Sequence, residues 1–92
     1  MSGKQPLSDE LGKYATLAIK DYNSQTESNY QFVQIENVTW QLVGGVRYYI
    51  TFQAKNAEEE CKTFLAAVFI TLKVNLKVIE VEGIKMKGSS TW

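Results

Sequence analysis

The chain predicts an α+β domain in which one N-terminal α-helix packs across a four- to five-stranded antiparallel β-sheet. Three observations carry this. Apolar residues recur at helical spacing between Leu11 and Tyr22, the apolar period falls to two from Tyr30 onward, and the alternating segments are separated by short polar or glycine-bearing connectors. A helix followed by a run of strands gives a sheet whose apolar face the helix closes. The 92 residues allow one core and one domain, 1–92, with 1–7 as a flexible arm and 88–92 as a flexible tail.

Ser8 fits a helix N-cap, and Asp9 and Glu10 fall in the first turn, where the helix dipole favours acids. Leu11, Tyr14, Ala15, Ala18, Ile19 and Tyr22 form one face, with Lys13, Thr16 and Lys20 opposite. Gly12 weakens this helix by about 1 kcal/mol. The helix is expected to end near Asn23-Ser24, because SQTESN carries no periodicity. In the first strand, to residue 42, Val33 and Ile35 alternate with polar residues before Val38, Trp40 and Leu42 take over the apolar phase. That slip predicts a bulge near Glu36-Asn37. Val46, Tyr48, Ile50, Phe52 and Ala54 alternate without interruption and give the clearest strand. Residues 56–60 are a charged connector, residues 62–72 a third strand and 74–82 a fourth. Gly83 is expected to interrupt the last strand, with Ile84 and Met86 either extending it or forming a tail.

The inventory excludes most chemistry. There is no His and a single Cys, so neither a His-based triad, a Cys–His pair, a His-bearing metal site nor an internal disulfide can form within one chain. Cys61 reads as a buried or inert thiol. Glu58-Glu59-Glu60 reads as solvated surface, and no phosphate-binding glycine motif is present. No catalytic residue, metal or cofactor is expected. Ten basic residues balance ten acidic ones, which argues against nucleic acid as a partner. The longest apolar run, residues 64–70, is far below the roughly 18 residues a bilayer needs, so no membrane partner is expected either. The first fifteen residues lack an apolar signal region. The expected location is therefore cytoplasmic, or secreted if a leader has been removed.

One segment stands apart. Gln41-Leu42-Val43-Gly44-Gly45 falls at the turn between the first two strands. Adjacent glycines supply the positive φ of a tight hairpin, and such a slender tip can enter a cleft closed to a bulkier loop. By its own chemistry the segment reads first as a plain glycine turn.

Here the chain resembles the cystatins, inhibitors of papain-like cysteine proteases, and most of all their plant branch. Gln41, Val43 and Gly45 fit the family's Gln-x-Val-x-Gly motif, and Val46 to Lys55 is similar to the strand that follows it. Residues 14–23, YATLAIKDYN, resemble the helix signature of plant cystatins at Leu17, Ala18, Ile19, Tyr22 and Asn23, and Phe32-Val33 with Ile35 resembles the next strand.

The resemblance implies a cystatin fold and a reversible, competitive inhibitor. It would block a protease cleft with an N-terminal arm, the motif hairpin and a second hairpin. The protease-binding residues it implies are Gln41, Leu42, Val43, Gly44 and Gly45, then Leu72 and Lys73, and Gly3 in the arm with Pro6 and Leu7. Replacing Gly45 by Trp is expected to abolish binding and leave folding mostly intact. Three departures stand out: Leu72-Lys73 replaces the family's Pro-Trp, Gly3 lies nearer the helix than usual, and Trp40 precedes the motif where a polar or charged residue is usual. Trp40 either packs on the sheet face or joins the contact as an exposed aromatic. The missing Pro-Trp keeps open the alternative of a cystatin-fold binding or structural module with weak or no inhibition. A monomer is expected, a domain-swapped dimer being the other arrangement open to this fold.

Overall fold

The computed structural model describes residues 6–73 and 76–87. In chain order they form α1 (Pro6–Thr26), β1 (Gln31–Leu42), β2 (Val46–Lys55), β3 (Cys61–Lys73) and β4 (Leu76–Met86). The strands make one antiparallel sheet in the order β1-β2-β3-β4, so every connection joins neighbours. The expected architecture holds, with four strands among the described residues.

Helix α1 begins at Pro6, two residues before the expected cap, which shortens the expected arm. Proline is tolerated in the first turn because its missing N–H would have no helical partner there. The helix runs on to Thr26, beyond Asn23-Ser24. It closes with Glu27 at φ 55° and the Ser28 N–H bonded to the Asn23 carbonyl at 3.0 Å, the six-to-one bond of a left-handed C-terminal cap. Periodicity could not reveal this last turn, which the cap and a Thr26 hydroxyl bond to the Tyr22 carbonyl at 2.8 Å hold.

The core lies between α1 and one sheet face. Leu11, Tyr14, Ala15, Ala18 and Ile19 of the helix bury against Ile50, Phe52 and Ala54 of β2 and Phe64, Ala66, Val68 and Ile70 of β3. The edge strands reach this core through irregularities. Register shifts in β1 fall between Phe32 and Gln34 and between Ile35 and Asn37, so Phe32, Ile35 and Val38 share the inner face at three-residue intervals. The second shift is the expected bulge. The first was not expected, and it turns Val33 outward. In β4 the shift falls opposite Ala67/Val68, leaving Glu82 as the extra residue. Gly83 does not interrupt the strand: it pairs with Ala67, and Ile84 and Met86 continue onto the core. A bulge adds a residue without ending the ladder, so pairing continues past Gly83.

Cys61 is exposed, so of the expected buried or inert thiol the burial does not hold. It opens β3 opposite Lys55 on the face turned away from the helix, and its thiol lies 3.6 Å from Gln53 Oε1. Among the described residues no helix is long and apolar enough to cross a membrane.

Candidate functional site: two hairpin ends and the start of the helix

Leu42 pairs with Val46, leaving Val43-Gly44-Gly45 as a three-residue tip. The Val43 N–H bonds to the Gly45 carbonyl at 3.1 Å, and Gly44 takes φ 81°, a conformation that disfavours any side chain. A Cβ on Gly44 would meet nothing within 4 Å, so the requirement for glycine is one of backbone conformation alone. Gly45 is constrained differently. A Cβ there would stand 2.6 Å from the Ile70 carbonyl oxygen and 2.7 Å from Thr71 Cγ2. The tip of the first hairpin therefore lies directly against the end of β3. This corrects the expectation for Gly45→Trp: the substitution would push the hairpin off the neighbouring backbone, and lost binding would not separate contact from misfolding.

The register brings further residues to the same end. Val46 pairs with Ile70, and β3 runs two residues further to Leu72, which faces Lys77 of β4. Lys77 Nζ lies 3.1 Å from Glu10 Oε2 and 5.5 Å from the centre of the Tyr14 ring, which ties the first turns of α1 to this end. Contact with Tyr14 and then with Glu10 raises the Lys77 pKa above its ordinary value. The start of the helix and both hairpins thus converge on one edge of the molecule.

Leu72 and Lys73 are not loop residues: they are the last residues of β3, paired with Lys77 and Leu76, and positions 74 and 75 lie outside the described residues. Gly3 also lies outside them, as do the other arm positions 1–5 and the tail 88–92.

Gln41 points to the face away from the helix, where its Oε1 accepts a bond from Arg47 Nη1 at 3.1 Å. Arg47 is itself held by both oxygens of Glu82, Nε to Oε1 at 2.7 Å and Nη2 to Oε2 at 3.3 Å, and lies 5.3 Å from the centre of the Phe69 ring. The bond to Glu82 raises the Arg47 pKa further above its already high ordinary value. The β4 bulge supplies the carboxylate for this contact, and the contact holds the first motif side chain in place.

The edge is apolar and open. Leu72 is 76% exposed, Leu42 71%, Leu76 64% and Trp40 60%, with Val43 also exposed. Trp40 is therefore an exposed aromatic, placed on the helix side of β1 opposite Tyr48. Leu76 was missed by sequence reasoning; its adjacency to the second turn was the available signal. The described residues at this edge offer no thiol, imidazole or cluster of metal-binding side chains. Their chemistry is contact chemistry.

Comparison with known proteins agrees. The family description "Cystatin domain" matches residues 2–80. A multicystatin of Solanum tuberosum is 33% identical over 82 residues, covering 89% of this chain and 10% of that protein. Cysteine proteinase inhibitor 3 of Arabidopsis thaliana is 30% identical over 73 residues, 79% of this chain and 58% of that protein. Cysteine proteinase inhibitor A of Helianthus annuus is 30% identical over 71 residues, 77% of this chain and 85% of that protein. The chain thus spans a small part of the first relative and little more than half of the second.

Proposed function

The chain belongs to the cystatin family, and on that premise we propose that it is a reversible, competitive inhibitor of papain-like cysteine proteases. The relatives named as cysteine proteinase inhibitors support the protease as partner, and inhibition rather than catalysis as the activity. The observation that carries the mechanism is the convergence of the Val43-Gly44-Gly45 tip, the exposed Leu72 and the first turns of α1 on one apolar edge.

The tip is narrow because two of its three residues have no side chain, and it is already folded by the Val43–Gly45 bond and its contact with β3. Entry into a cleft then orders little new chain, so most of the contact energy survives as affinity. Val43 and Leu42 supply the apolar contact. Gln41, held by Arg47, keeps its amide nitrogen available to donate to a backbone carbonyl of the cleft wall. No bond to the catalytic thiol forms, because the tip offers neither an electrophile nor a cleavable strand laid across it. Inhibition is by occupancy, and substrate competes with it.

Titration of papain against a fluorogenic peptide tests this. Competitive, reversible inhibition by the full chain is expected, with Val43→Asp weakening it by about thirtyfold or more, the loss expected of a buried central contact. Circular dichroism should show Val43→Asp folded, since the side chain is exposed. Absence of inhibition at tens of micromolar from a folded sample would move the reading to a cystatin-fold binding module, the alternative that Leu72-Lys73 in place of Pro-Trp brings forward.

A further inference from the structure

We propose that Trp40, together with Leu42, forms an apolar flank beside the hairpin that seats on an apolar rim, free of acidic groups, of the target protease's cleft. This flank would make the chain discriminate among papain-like proteases by that rim. The inference rests on the inhibitor reading above and names its partner more closely.

Trp40 and Leu42 are two residues apart on β1 and so share a face, opposite Tyr48 and Val46. Both are mostly exposed although they lie on the core side of the sheet. Along the same face of β1, Val38, Ile35 and Phe32 pack against the core. The strand's apolar row thus runs out of the core and continues, uncovered, to the base of the tip. A tryptophan and a leucine left in water at a strand end are an aggregation liability, unless a partner covers them. Here they are continuous with the edge assigned to the protease, and a tip inserted in a cleft brings its flanks against the cleft's rim.

Electrostatics favours an apolar rim over an acidic one. Among the described charged side chains beside the tip, Arg47 is matched by Glu82 and Lys77 by Glu10. Neither cation is left to meet an acidic rim. A rim carboxylate under the Trp40 ring would lose water and gain no free partner from Arg47 or Lys77, which disfavours that complex.

The test compares papain with papain whose rim beside the cleft has been made acidic by substitution, each titrated with the full chain and with Trp40→Ala, Trp40→Lys and Val43→Asp. Trp40→Ala is expected to weaken inhibition of papain about tenfold, mainly through faster dissociation, with its melting temperature unchanged. The acidic-rim papain should be inhibited less well by the full chain, and Trp40→Lys should reverse that order. In a Trp92→Phe chain labelled with 5-fluorotryptophan, the remaining fluorine resonance, from position 40, should shift on binding papain. If Trp40→Ala stays within about twofold of the full chain and the resonance does not move while Val43→Asp loses inhibition, the flank is wrong and the wedge stands. If Val43→Asp also inhibits normally, the wedge itself is wrong, and the flank falls with it.

Discussion

At the end of the sheet where β2 passes into β3, Tyr22, Tyr30, Phe32, Phe52 and Phe64 lie ring against ring, with centroids 5.0–6.0 Å apart. At the opposite end, Trp40, Leu42, Val43, Leu72 and Leu76 stand in solvent. Both ends are rich in large apolar side chains; what differs is what meets them. At the closed end the last turns of α1 and the segment leading to β1 fold over the sheet, and the Asn23 amide clamps both backbone groups of Tyr30, at 2.8 and 3.0 Å. The Asn56 side chain orders the nearby connector by accepting from the Glu58 and Glu60 N–H groups. At the open end, among the described residues outside the sheet, only the first turns of α1 approach, tied to β4 through Glu10 and Lys77. Apolar surface left exposed among the described residues is available to a partner. The packed aromatic rings are therefore at one end and the proposed protease contact at the other, and substitutions should separate stability from inhibition.

The largest expected effect belongs to the closed end. Phe64 is fully buried and touches Tyr22, Tyr30 and Phe52. Phe64→Ala should cost about 3–5 kcal/mol by urea unfolding, from lost burial and the cavity left behind. The folded fraction should still inhibit papain with its original constant. A changed constant at equal folded fraction would mean that the two ends are mechanically coupled and the division is false.

Asn23→Ala is the next step down. Asn23 is half-buried and supplies two of the bonds that shut this end, so its loss should cost about 1–3 kcal/mol, again by urea unfolding, with inhibition untouched. Leu72→Ser sharpens the comparison from the other side. Its melting temperature should stay within a degree or two of the parent, because a side chain 76% exposed contributes little to the core. Papain inhibition should weaken by about tenfold, or 1.4 kcal/mol. Unchanged inhibition would remove the end of β3 from the contact.

The closed end was far more legible in the sequence than the open one. Alternation in β2 is unbroken because the strand is central: Ile50, Phe52 and Ala54 bury fully and Val46 and Tyr48 partly, while Arg47, Thr51, Gln53 and Lys55 take the outer face, and the helix stripe is equally direct. The edge strands were harder to read. Val33 looked like the partner of Ile35, yet a bulge the sequence does not mark puts Phe32 inside instead. Gly83 looked like a break, yet the neighbouring bulge absorbs the irregularity and sends Glu82 across to Arg47. At the open end the motif told which residues form the tip. It could not tell that Gly45 abuts the Ile70 carbonyl, since that contact joins positions 25 residues apart. Nor could it tell that Trp40 stays uncovered. Whether an apolar side chain at a strand end is buried depends on where another element stops, and alternation carries no record of that.

The smallest effect lies in the helix that links the two ends, and it runs opposite in sign. Gly12 sits in the interior of α1 without a positive φ, and a Cβ placed there would meet Phe32 Cε2 at 3.9 Å, an ordinary contact. Nothing in its surroundings requires glycine, in contrast to Gly44, which needs its backbone angle, and Gly45, which needs its missing side chain. Gly12→Ala should therefore stabilise the fold by about 1 kcal/mol, because the unfolded chain loses freedom that the helix never used. In a domain of this size that raises the melting temperature by about 4–8 °C. Because the helix interior is scaffold, papain inhibition should not change. A more stable variant that inhibits less well would show that bending at Gly12 helps bring the first turns of α1 to the protease, and the helix between Glu10 and Tyr14 would then belong to the contact rather than to the scaffold.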